Sequence, residues 1–185
     1  MYLVRPAEQY LASYRDALER GFSRDNVRGA AAAQEDLERI RADARAFLAS
    51  LDVREAKGPP VELPDGSLVA RLPGFCRWLW DGEFAGSIGI RWQPGTADLP
   101  PHCLGHIGYA VVPWKQRRGY ATAALRAMLG EARAIGLPFV EITTEPDNVA
   151  SVRVIEAVGG ILHEPFTQPP QFGGGPGLRY RVMLG

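Results

Sequence analysis

The chain has 185 residues, 46% hydrophobic, with 21 basic residues against 21 acidic ones. That length and apolar share fit one packed domain. The formal net charge of +0 argues against nucleic acid or an anionic membrane as partner, because both select a clustered basic excess.

No apolar run approaches a membrane span, and the opening MYLVRPAEQY carries charge too early for a signal peptide, so the cytoplasm is the expected compartment. Cys76 and Cys103 lack CxxC spacing, so neither a disulfide framework nor a zinc site is indicated. His102, Cys103 and His106 gather at a strand entrance without an evident fourth ligand, and no metal is expected there.

Residues 2–5 read as a short strand. Over residues 8–20, Leu11, Tyr14 and Leu18 recur at helical spacing, and Gly21 is a stop. A second helix is expected over residues 29–51, with Leu37, Ile40, Ala44, Phe47, Leu48 and Leu51 on one face. Its charged face reads as solvated surface. Residues 57–66, KGPPVELPDG, read as a loop. SLVARLP and FCRWLWD then alternate in strand fashion, and Asp81-Gly82 signals a hairpin into EFAGSIGIRW. After the loop QPGTADLPPHCLG, residues 106–112 (HIGYAVV) read as a largely buried strand that Pro113 ends.

Residues 120–135 return to helical spacing, closed by Gly136 and Pro138. FVEITTE is a strand. PDNVASVRVIEAVGG is a shorter helix, capped by Asp147 or Asn148 and stopped by Gly159 or Gly160. ILHEPF and LRYRVML are the last strands, around the Gly/Pro-rich TQPPQFGGGPG. The central strand–helix–strand unit is long enough for a right-handed parallel crossover, and the strands before it read as antiparallel hairpins. The expected architecture is a single α/β domain over residues 1–185 with a mixed sheet, residues 1–57 forming an N-terminal strand and helices.

One junction asks for chemistry. QRRGYA, residues 116–121, joins an apolar strand to a helix. The first turn of a helix leaves its N–H groups unpartnered and carries partial positive charge, so anions bind there. Gly119 lets a phosphate approach the backbone and makes positive φ cheap. Ala121 keeps the approach open, and Arg117 and Arg118 add phosphate-matched donors. A di- or polyphosphate is the inferred ligand. The junction is neither GxGxxG nor a loop ending in GK[ST], and taken alone it also reads as an ordinary structural turn.

Strand, QRRGYA and helix together resemble the core of the GNAT superfamily of N-acetyltransferases. That family carries Q/R-x-x-G-x-G/A, and Gln116, Gly119 and Ala121 fill the defined positions. Pro113 fits the usual strand ending. NVASVRVIEAVGG resembles a second family motif, matched in spacing by Asn148, Ser151 and Gly159. The resemblance is firm over residues 104–162, the implied acetyl-CoA-binding core, and looser elsewhere. It implies a mostly antiparallel sheet with a central splayed parallel strand pair and flanking helices.

It further implies acetyl-CoA as cosubstrate. Tyr109, Ala110 and Val111 would pair with the pantetheine arm, and Arg117, Arg118, Gly119, Tyr120, Ala121 and Thr122 would hold the pyrophosphate. Asn148 would contact the cofactor near the thioester, with Ser151 one turn on; Ser151 also reads as a solvent-facing helix serine. The implied reaction is direct attack of a primary amine, of a small molecule or a peptide, on the acetyl carbonyl. The Val111 N–H or a neighbour would meet the oxyanion. Dimers are common in the family, which makes a homodimer compatible with the resemblance.

The sequence departs from the family where protons move. Ile155 stands where many members have a tyrosine that acts as general acid. Thr143 stands where some have a carboxylate base, and Gly160 replaces a usual aromatic. Glu141, on the same strand face as Thr143, is a candidate base, though a solvated or paired strand carboxylate is the favoured reading. His106 offers an imidazole, though a hydrogen-bonded strand-end histidine is the favoured reading; His102, in the preceding loop, is a weaker candidate. Trp78, Trp80, Trp92 and Trp114 fit an acceptor pocket or ordinary core packing. Two other functions fit the same cofactor motif: transfer of a longer acyl group, and a non-catalytic acyl-CoA sensor.

Overall fold

The computed structural model describes residues 1–63 and 66–185. Pro64 and Asp65, within the loop expected over residues 57–66, lie outside the described residues. Among the described residues no helix is long and apolar enough to cross a membrane.

Two sheets form the frame. In the first, β1 (Tyr2–Val4), β5 (Gly74–Trp80), β6 (Phe84–Arg91) and β7 (Ile107–Val111) lie in that order, and β2 (Asp52–Val53) also pairs with β5. In the second, β8 (Phe139–Thr144) and β9 (Ile161–Thr167) flank β10 (Pro176–Met183). Every ladder in both is antiparallel. The loop expected over residues 57–66 instead contributes β3 (Val61–Glu62), which pairs with β4 (Leu68–Val69) in a two-rung hairpin. The strand expected over SLVARLP shrinks to β4, because only that piece finds a pairing partner.

Side chains alternate across the first sheet. On one face Trp78 and Phe84 pack under α1 (Glu8–Glu19) and α2 (Gly29–Ser50), against Leu11, Tyr14, Leu37, Ile40 and Phe47. On the other, Leu79, Ile88 and Ile107 pack under α3 (Tyr120–Ile135), against Leu125, Met128 and Ala132. The second sheet buries Val140, Ile142, Tyr180 and Val182 in that same core, with Ile155 of α4 (Val149–Glu156).

Two expectations about α2 need correction. Asp43 breaks the helix with φ −158° and ψ 95°. Its Oδ1 accepts from the Ala46 N–H at 2.9 Å, so it caps a second helical segment. The charged face is also not wholly solvated. Asp36 is only 3% exposed. It accepts from Tyr14 Oη at 2.7 Å and from Arg24 Nε and Nη2 at 2.7 and 3.1 Å, which answers the desolvation of its charge.

The third correction positions the site. The strand expected to be largely buried is buried within β7 only at Ile107, and Gly108 is exposed. The reason is an open edge. One backbone bond, His106 N–H to Glu141 C=O at 2.7 Å, ties the base of β7 to β8. Gly105 permits that approach: a Cβ there would lie 3.1 Å from the Glu141 oxygen. Above this point no ladder joins β7 to β8 among the described residues, and the splayed pair becomes the boundary between two sheets.

Candidate active site

The strand edge at the split is built by alternation. The Val112 N–H donates to Ala85 and the His106 C=O accepts from Arg91, so even-numbered positions of β7 bond to β6. Tyr109 and Val111 therefore turn their backbone groups to the open edge, while Ala110 turns toward β6. Of the three residues expected to pair with a ligand, Tyr109 and Val111 thus present backbone groups to the open edge and Ala110 does not. Gln116 sends its side chain back to this edge, donating to the Val111 C=O at 3.3 Å.

The junction follows β7 directly. Pro113–Lys115 make a 3-10 turn. Arg117 and Gly119 then adopt left-handed conformations, with φ 61° and 75°. Gly119 is the N-cap of α3, and no side chain caps that end. The Gly119 C=O accepts from the Ala123 N–H at 3.0 Å, so the amides of Tyr120, Ala121 and Thr122 have no intrahelical acceptor. Arg117 and Arg118 are exposed, and neither has an acidic partner among the described residues. Unused amides, the helix dipole and two exposed guanidinium-bearing residues lie together at this junction, a combination suited to an anion.

Two residues that sequence reasoning missed hold this loop in place. Lys115, its side chain 6% exposed, pairs with Asp81 Oδ1 at 2.5 Å and Glu83 at 2.8 Å. Tyr120 Oη donates to the other Asp81 oxygen at 2.7 Å. One carboxylate thus ties both ends of the junction to the β5–β6 turn. Burial alone would push the Asp81 carboxyl up; hydrogen bonds from Lys115 and Tyr120 outweigh it and hold it below its ordinary value. The signal in the sequence was hidden, because Asp81 reads as a turn residue.

The opposite wall is α4. Asn148 caps it, its Oδ1 accepting from the Ser151 N–H at 3.1 Å. Ser151 does not face open solvent. Its Oγ shares a hydrogen bond of 2.8 Å with Tyr109 Oη, which crosses from β7. Ile155 is fully buried in the core and contributes no polar group.

Neither expected base is free. Glu141 is clamped by Arg179 Nη1 at 2.9 Å and Arg181 Nη2 at 2.7 Å. Burial favours its neutral form, but the hydrogen bonds from Arg181 and Arg179 prevail and hold the carboxyl below its usual range. That leaves it a poorer proton acceptor. His106 is fully buried. Its Nδ1 accepts from the Glu141 N–H at 3.0 Å, and its Nε2 lies 3.2 Å from the Ala97 C=O. Both ring nitrogens are thus engaged, and burial pushes the imidazole down despite the opposing pull of Glu141. His106 is a clip between β7 and β8. His102 is only half-buried, and among the described residues no three His, Cys, Asp or Glu side chains converge as metal ligands. The tryptophans serve packing: Trp78 is fully buried, Trp80 and Trp114 join its cluster, and Trp92 meets Phe75 edge-on.

The model of the GNAT acetyltransferase domain family matches residues 24–161. The chain belongs to this acetyltransferase family. Solved structures agree in fold. The microcin C7 self-immunity acetyltransferase MccE, in complex with acetyl-CoA and AMP, is 15% identical with a TM-score of 0.59, over 98% of this chain and 91% of that one. A GNAT-family acetyltransferase from Bacillus anthracis is 16% identical with a TM-score of 0.61, over 98% and 93%. Mycobacterium smegmatis RimJ, in complex with CoA-disulfide, is 18% identical with a TM-score of 0.60, over 98% and 80%. No curated protein sequence matches the chain.

Proposed function

We propose that this acetyltransferase uses acetyl-CoA to acetylate a primary amine, of a small molecule or a peptide, by direct attack. The observation that carries the reading is the split between β7 and β8, with the unpaired amides of Tyr120, Ala121 and Thr122 at its mouth. Those amides, with Arg117, Arg118 and the left-handed Gly119, fit a pyrophosphate. The open-edge backbone of Tyr109 and Val111 fits an extended arm carrying amide groups. Acetyl-CoA supplies an activated acetyl thioester when bound. The fold's likeness to MccE, which was solved with acetyl-CoA, and to RimJ, solved with a CoA disulfide, supports the choice.

Within this reading Gln116 steadies the Val111 carbonyl, and the Val111 N–H faces the developing oxyanion. The Asn148 amide group remains free to donate toward the arm. Glu141 and His106 are assigned structural roles, so the amine loses its proton to water at the open mouth. The cytoplasm, which supplies acetyl-CoA, is the proposed compartment.

A binding-only sensor is the second reading. The full burial of Ile155 and the engagement of Glu141 and His106 favour it. An acetyl-CoA assay against amino acids, polyamines, aminoglycosides and peptide N-termini separates the two. Thiol release with at least one amine supports transfer. Acetyl-CoA binding without release to any of them supports the sensor.

A further inference from the structure

Ile155 leaves α4 without a hydroxyl where the family resemblance calls for one. A hydroxyl reaches the same helix face from the other wall. Tyr109 Oη lies 2.8 Å from Ser151 Oγ and 3.4 Å from the Ser151 C=O. Ser151 stands three residues after Asn148 and four before Ile155, so all three share one face of α4. The Tyr109 backbone faces the open edge of β7, and its ring packs on the core beside α3 and α4. The phenol therefore spans the split between the strand edge and the helix that flank it.

We propose that Tyr109 is the proton donor to the departing CoA sulfur, with Ser151 as the residue that positions its hydroxyl. This rests on the acetyl-CoA reading above. Attack forms the C–N bond and an oxyanion; collapse breaks the C–S bond, and its electron pair goes to sulfur. The Tyr109 proton moves to that sulfur, yielding the CoA thiol. The phenolate recovers a proton from water, while the acylated nitrogen gives one up to water. Ser151 Oγ–H donates to the Tyr109 oxygen at 2.8 Å, which leaves the single phenol proton for the sulfur and stabilises the phenolate after transfer. Among the groups that act on the Tyr109 hydroxyl none is charged. Burial pushes the phenol up, against the hydrogen bond to Ser151, so the donor keeps its proton through the neutral range.

The test uses CoA itself, bound to the wild-type chain and to the Y109F and S151A variants. The thiolate is followed by ultraviolet absorbance across about pH 6 to 10, the range that brackets an ordinary thiol. A phenol donating to sulfur stabilises the bound thiolate, so the thiol midpoint should rise by about one pH unit in Y109F. S151A should shift it in the same direction by less. CoA affinity at neutral pH should stay within about threefold, and acetyl transfer in Y109F should drop roughly 100-fold in kcat. Equal thiol midpoints in wild type and Y109F overturn the proposal. So does Y109F turnover within about twofold of wild type. Failure of CoA to bind the wild-type chain overturns the acetyl-CoA reading itself, and this proposal with it.

Discussion

Glu141 sits on the strand that borders the split, yet its two guanidinium partners decide its role. Glu141→Gln leaves Arg181 without its ion pair and should lower stability by about 2 kcal/mol at neutral pH. The folded carboxyl lies below its ordinary value, so this stabilisation is present above about pH 4.3 and fades as pH falls through the lower folded value. Urea unfolding should therefore show the wild-type and E141Q stabilities converging in acid. Acetyl transfer lost in E141Q, with folding and acetyl-CoA affinity intact, would restore Glu141 as the base. His106 contributes in a different window. Its imidazole is held neutral in the fold, whereas the unfolded chain protonates it near pH 6.5. Stability should be full above about 6.5 and decline below it, with a flatter profile in His106→Asn.

At the scale of elements, the junction and α2 both depend on single carboxylates. Asp81 ties the two ends of the loop that precedes α3. Asp81→Ala should weaken acetyl-CoA binding by about tenfold, close to 1.4 kcal/mol, through a loop that is no longer held in shape. Unchanged affinity in a folded variant would show that the loop holds itself. Asp43→Ala removes the cap on the second segment of α2 and should cost about 1 kcal/mol, a Tm drop of about 2–4 °C. Neither role was legible, because an aspartate in a turn and one on a polar helix face look alike in any sequence. The ends of α3 and α4 were legible: Gly119, Gly136 and Asn148 carry local conformational chemistry that needs no distant partner. The Asp36–Arg24–Tyr14 cluster joins residues up to 22 apart and forms only once α1 and α2 are packed.

For the whole molecule, the decisive feature is that its main strands fall into two sheets, divided between β7 and β8. Alternation identified β5, while β7 was read from an apolar run. Neither identified the open edge of β7, because an apolar run reads the same whether or not a neighbour pairs with it. The contact of Tyr109 with Ser151 was hidden for a related reason: it spans 42 residues and exists only across the split. The family motif was legible in the junction, since left-handed backbone calls for glycine there. The central claim is that this split holds acetyl-CoA with its pyrophosphate at the start of α3. It is tested most directly by calorimetric titration of acetyl-CoA into the wild-type chain and Gly119→Val. At φ 75° a β-branched residue is strained, and the loop should leave its left-handed path. The account predicts saturable binding to the wild-type chain and affinity at least about tenfold lower in the folded variant. Equal affinity in the two, or no binding to the wild-type chain, would contradict it.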